Sequence, residues 1–119
     1  MKYEYTFREV NLRNNTKCLA IDLPKEITVV IDFLLSDVSY IDTFFLKSID
    51  SVLSGKKKLL QVSGNACVLV IKKDWTTVSC EFANFGEGDS CEIETDELRE
   101  LILIWQEEQR KFRLKYGYN

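Results

Sequence analysis

Three β-rich runs follow Gly55 with almost no chain between them: Lys58 to Ser63, Ala66 to Lys73 and Thr76 to Ala83. The bends are Gly64-Asn65 and either Lys73-Asp74 or Asp74-Trp75. Parallel neighbours need a crossover of about a dozen residues or more, so bends this short force the strands to run antiparallel. The expected unit is a meander. With Lys73-Asp74 as a two-residue turn, Cys67 lies directly opposite Cys80; with the turn one residue later the two become diagonal neighbours, and in either register they share a face.

Elsewhere the hydrophobic period changes. Tyr3, Tyr5 and Phe7 alternate with Lys2, Glu4, Thr6 and Arg8, which predicts a half-buried strand at or near a sheet edge. A turn-rich Asn11 to Asn15 follows, and then a short strand over Lys17 to Ile21. From Lys25 to Ser36 the β-branched content suits a strand, but Ile27, Val30, Ile31 and Leu34 recur at helical spacing and predict a helix, with Asp22 and Pro24 at its start. Ile41, Phe44, Phe45, Ile49, Val52 and Leu53 mark a second helix, with Asp42 in its first turn and Gly55 just past its end. After the meander, Cys91 to Glu94 reads as a short strand. Thr95 as N-cap then opens a long helix striped by Leu98, Leu101, Ile102, Trp105 and Phe112, with Asp96 and Glu97 at its positive end. The fold class expected is therefore α+β: an antiparallel meander packed on two or three helices, the last one long. At 119 residues, 45% hydrophobic, the chain predicts one core and one domain spanning 1–119.

The formal charge is −3 and the isoelectric point about 5.0, a field that repels phosphate backbones and anionic lipid. Nucleic acid and membrane are therefore not expected partners; a basic protein is, because acidic surface speeds its encounter. No run of about 18 apolar residues is present, and the amino terminus alternates in polarity instead of forming the apolar core of a signal peptide, so a cytoplasmic protein is expected.

The chain has no histidine, which removes the commonest general base, the usual partner of a Ser or Cys nucleophile and the commonest metal ligand. No catalytic residue, metal or cofactor is predicted. Cys18, Cys67, Cys80 and Cys91 are 49, 13 and 11 residues apart, without the paired short spacings of a zinc site, and read as reduced, buried, small hydrophobes. Cys67 and Cys80 are the pair through which a redox role would run. Ser63-Gly64-Asn65 lacks the further glycines and lysine of a phosphate loop and reads as a bend, while Lys56-Lys57-Lys58 reads as a solvated helix exit.

The most distinctive surface stretch holds seven carboxylates within fourteen residues, Glu87, Asp89, Glu92, Glu94, Asp96, Glu97 and Glu100, beside the aromatic Phe85. Two readings stand side by side. The acids serve solubility and helix capping, or they form a binding face on which carboxylates steer a basic protein and Phe85 anchors it.

Several stretches carry a family likeness: Ser54-Gly55-Lys56 through Ser63-Gly64-Asn65-Ala66, the hairpin Lys73-Asp74-Trp75-Thr76, and Cys91-Glu92-Ile93-Glu94-Thr95-Asp96-Glu97-Leu98 with Leu101-Ile102 and Trp105. Over roughly the last two thirds of its length the chain resembles small bacterial immunity proteins of contact-dependent growth inhibition systems. The resemblance implies a stoichiometric inhibitor that binds and neutralises one cognate toxin domain, often a nuclease, in the cytosol. Its motifs are packing and turn residues, and they assign no contact residues. A generic regulatory binding module and, further off, a cysteine-based redox protein are the alternatives.

Overall fold

The computed structural model describes residues 1–81 and 89–117. Its α+β architecture comprises a two-stranded hairpin, a four-stranded sheet and three α-helices. Strands β1 (Thr6–Asn11) and β2 (Lys17–Asp22) form the hairpin, with Phe7 opposite Ile21 and Val10 opposite Cys18. The expected first strand started four residues too early; Lys2 to Tyr5 instead run beyond the ladder, where Lys2 and Tyr3 serve other contacts. A 3-10 turn over Lys25–Ile27 leads into α1 (Thr28–Asp37). Asp22 does not cap that helix; it pairs with Arg8 across the hairpin at 2.7 Å. Ile27, Val30, Ile31 and Leu34 are all buried as the periodicity predicts, and so are Val29 and Phe33, so α1 is enclosed on most of its circumference.

Helix α2 (Phe44–Leu53) starts later than the hydrophobic spacing implies. Ile41 is 71% exposed and lies in the preceding loop, while Phe45, Ile49 and Val52 enter the core. Asp42 accepts the Phe44 N–H at 2.6 Å, and Gly55 follows the helix at φ +87°, a conformation that favours glycine.

The meander is β3 (Leu59–Ser63), β4 (Cys67–Lys72), β5 (Trp75–Cys80) and β6 (Ser90–Glu94), hydrogen-bonded in chain order and antiparallel throughout. Lys73-Asp74 is the turn between β4 and β5, and the register sets Cys67 opposite Cys80. Cys67, Leu69 and Ile71 of β4, Thr76, Val78 and Cys80 of β5 and Ile93 of β6 are buried on one sheet face, which the three α-helices share; among the described residues the other face carries no helix. Phe82 and Ala83, the expected end of β5, lie outside the described residues.

Two tethers join the helices to the sheet. The Asp37 carboxylate, at the end of α1, accepts the N–H groups of Asn65 (2.9 Å), Ala66 (3.0 Å) and Cys67 (2.9 Å) in the β3–β4 bend. At α3 (Thr95–Tyr116), Thr95 is not the N-cap. It is the first helical residue and fully buried; its hydroxyl donates to the Lys72 carbonyl at 2.5 Å and lies 2.9 Å from the Thr76 hydroxyl. Its N–H donates to the Asp74 carbonyl at 3.1 Å, so the β4–β5 hairpin supplies the cap. Leu98, Leu101, Ile102 and Trp105 are buried as expected, Phe112 is half-buried, and Gly117 closes the helix at φ +70°.

Candidate functional site

Asp89 just before β6, strand β6 itself and the first two turns of α3 carry the described members of the acidic set. Alternation along β6 turns Ile93 inward and places Glu92 and Glu94 on the helix-free sheet face, opposite Thr77 and Trp75 respectively. Glu92 and Asp89 are exposed, and neither carboxylate has an ion pair or side-chain hydrogen bond among the described residues. Asp96, also exposed, accepts the Glu97 N–H at 2.8 Å. Glu100, one turn further along α3, is exposed and without an ionic partner among the described residues. Phe85 and Glu87 lie outside the described residues.

Glu94 and Glu97 face the amino-terminal segment. The Lys2 ammonium meets one Glu94 oxygen at 2.5 Å, the Tyr3 hydroxyl donates to the other, and the Lys2 N–H donates to Glu97 at 3.2 Å. The hydrogen bonds from Lys2 and Tyr3 hold the Glu94 carboxyl at about 2, and burial together with the neighbouring carboxylate raises the Tyr3 hydroxyl. A carboxyl lowered in the folded state contributes stability at neutral pH that fades as pH falls from the ordinary value of 4.5 toward about 2. Melting curves across that window should show wild type losing its advantage over Glu94→Gln as the medium is acidified. A gap of constant size down to pH ~2.5 would contradict the assignment.

The aromatic that the structure sets beside these acids is Trp75, 47% exposed at the first position of β5 and adjoining Glu94, Asp96, Asp74 and Leu53 around a shallow depression. Sequence reading passed over Trp75 because it was absorbed into a possible turn; its place directly after Lys73-Asp74, on the side of β5 opposite Thr76 and Val78, is the signal that finds it.

Cys67 and Cys80 form a disulfide between β4 and β5, with Cα atoms 4.1 Å apart, which corrects the expectation of four reduced thiols. Register is the cause, since directly opposed residues on one face bring their sulfurs together. Both residues are at most 2% exposed, beyond reach of a partner's thiolate, which suits a cross-strand staple. Cys18 and Cys91 remain thiols, both half-buried. Burial pushes the Cys91 thiol up to about 11, against the opposing influence of the Val29 and Val30 N–H groups at the start of α1.

No established family profile matches the chain, and no solved structure does. A curated protein of Bacillus cereus named "Immunity protein" is 46% identical over 113 residues, covering 95% of this chain and 93% of that protein. The chain belongs to this family of immunity proteins. Among the described residues of this immunity-family chain, no helix is long and apolar enough to cross a membrane, and no three His, Cys, Asp or Glu residues are grouped to hold a metal ion. The described members of its acidic set are dispersed: Asp89 precedes β6, Glu92 is on the open sheet face, Glu94 and Asp96 are beside Trp75, Glu97 meets the Lys2 N–H, and Glu100 is on the outer side of α3.

Proposed function

We propose that this chain is the stoichiometric inhibitor of a toxin domain, acting by binding and without turnover, in the cytoplasm of the cell that makes it. The 46% identity to an immunity protein along nearly the whole chain carries the reading. The toxin is proposed to be a basic, nucleic-acid-cleaving domain of a contact-dependent growth inhibition system. Support for a basic partner comes from charge: the chain is at −3, and Asp89, Glu92, Asp96 and Glu100 present carboxylates that no described cation neutralises. Such groups accelerate the encounter with a positive surface and set its register. Glu94 and Glu97 add to that field while their oxygens are held by Lys2 and Tyr3, and Phe85 and Glu87 complete the proposed contact set.

The decisive experiment is growth rescue. The toxin domain encoded beside the gene for this chain should arrest growth when expressed alone, and co-expression of the chain should restore it through a one-to-one complex that survives size-exclusion chromatography. Arrest that persists despite abundant, folded chain would sink the proposal.

A further inference from the structure

A second apolar surface lies away from the sheet face, where β1 meets α3. Tyr5 and Phe7 form one wall of an open groove of about 530 Å³, and Leu103 and Ile104 form the other. Tyr5 is 38% and Leu103 42% exposed. Aromatic contacts back this wall: the Tyr5 ring meets Phe7 edge-on at 5.8 Å, and Phe7 stacks at 6.3 Å on the buried Trp105. Three carboxylates, Glu100, Glu107 and Glu108, line the same groove with one ammonium, Lys111, so its rim is acidic on balance. Glu107 and Glu108 are paired only with Arg110 (2.7 Å) and Lys111 (3.6 Å) along the same exposed helix face, pairs of small worth that exchange readily, and Glu100 has no such partner among the described residues. The outer stripe of α3 continues about three turns to Leu114, which is 80% exposed.

An apolar trough edged by carboxylates is complementary to one class of side chain. Arginine and lysine carry an apolar stem and a cationic head; the stem lies along Tyr5, Phe7, Leu103 and Ile104 while the head reaches the rim, and the Tyr5 ring adds a cation–π face. A purely apolar occupant would desolvate three carboxylates against the single Lys111 ammonium, and an anionic one would meet an excess of negative charge. We infer that the groove between β1 and α3 is the anchoring site for an arginine- or lysine-bearing segment of the toxin domain. The inference rests on the toxin-inhibitor reading and adds to it the surface and the kind of side chain that surface receives. Glu100 connects this groove to the acidic stretch that begins at β6, so steering and anchoring share one helix.

The test uses the full chain and the toxin domain encoded beside its gene, inactivated by substitution so that it can be purified, with affinity and association rate measured by surface plasmon resonance. Leu103→Arg, which sets a cation at the mouth of the groove on an already exposed helix position, should weaken binding by ~30-fold or more. Glu100→Lys should slow association and flatten its dependence on salt. Leu59→Arg, at 51% exposure on the far sheet edge, should leave affinity within about twofold. Unchanged melting temperatures would show that each variant is folded. Binding by wild type with equal affinity for Leu103→Arg overturns the groove and leaves the toxin-inhibitor reading intact, as does a loss confined to Trp75→Ala, which moves the contact to the open sheet face. Absence of wild-type binding overturns both. Dimerisation of the chain alone, abolished by Leu103→Arg, would overturn the inference by making a second copy the occupant.

Discussion

Replacing Asp37 by alanine is expected to lower the unfolding free energy by ~3–5 kcal/mol, a large part of the ~5–15 kcal/mol that a domain of this kind possesses. Asp37 is 9% exposed, and its two oxygens receive three backbone N–H groups from the β3–β4 bend. Hydrogen bonds to a charged acceptor are each worth ~1.5–3 kcal/mol, and a buried donor left without one costs ~1–3 kcal/mol. Their full sum overstates the effect, since Asn65 is exposed and Ala66 half-buried, so water takes over part of the lost bonding there; at the buried Cys67 N–H it does not. Gly64 is explained by the same contact. A Cβ on Gly64 would lie 2.5 Å from both Cγ and Oδ2 of Asp37, so this glycine is required by the approach of the carboxylate and not by backbone conformation. Gly64→Ala should therefore destabilise by displacing Asp37 from its three donors. In the double variant the two losses should fall short of additivity, because most of the atoms that clash are already gone. Urea denaturation of the four proteins measures the cycle. A loss under ~1 kcal/mol for Asp37→Ala would mean that the bend holds itself without the carboxylate.

Trp105→Ala should cost a similar ~3–5 kcal/mol, the range for truncating a large buried aromatic. Trp105 is 2% exposed, its Nε1–H donates to the Val38 carbonyl at 3.1 Å, and its ring supports Phe7. The neighbouring Gln106 donates to the Ser39 and Asp42 carbonyls at 3.0 and 2.7 Å, so one turn of α3 fixes the whole connection between α1 and α2. Trp105→Phe keeps most of the packing and loses the donor, and should cost only ~1–2 kcal/mol. Equal losses for the two variants would show that the hydrogen bond, and not the ring, is what matters. Because Phe7 rests on Trp105, the alanine variant should also loosen the β1–α3 groove and weaken partner binding beyond the effect of reduced stability, visible at temperatures where the variant is still fully folded.

The contacts that decide these outcomes differ in sequence range, and so does their visibility in the sequence. Asp37 lies one residue past the expected first helix and Gly64 in an expected bend; nothing local announces that a carboxylate fits against a glycine 27 positions away. Thr95 resembled an N-cap because the rule for caps is local, yet its hydroxyl is used by Lys72 and Thr76 across the sheet. Ile41 matched a helical stripe and is exposed because Trp105 and Gln106 hold the preceding chain in a loop until Phe44. In the acidic set, charge was legible but availability was not: Glu94 is bound by residues more than ninety positions away, while Glu92 is open.

Short-range physics lay in the sequence itself. Short bends made β3, β4 and β5 antiparallel and put Cys67 and Cys80 on one face, leaving the opposed register to the structure; hydrophobic periods located all three α-helices, and composition gave the chain its negative charge. Tertiary structure alone decided which carboxylates are free, which aromatics remain at the surface, and where an apolar groove acquires an acidic rim. Those properties arise from pairs of residues brought together by chain closure, and the pattern along either partner carries no record of the other.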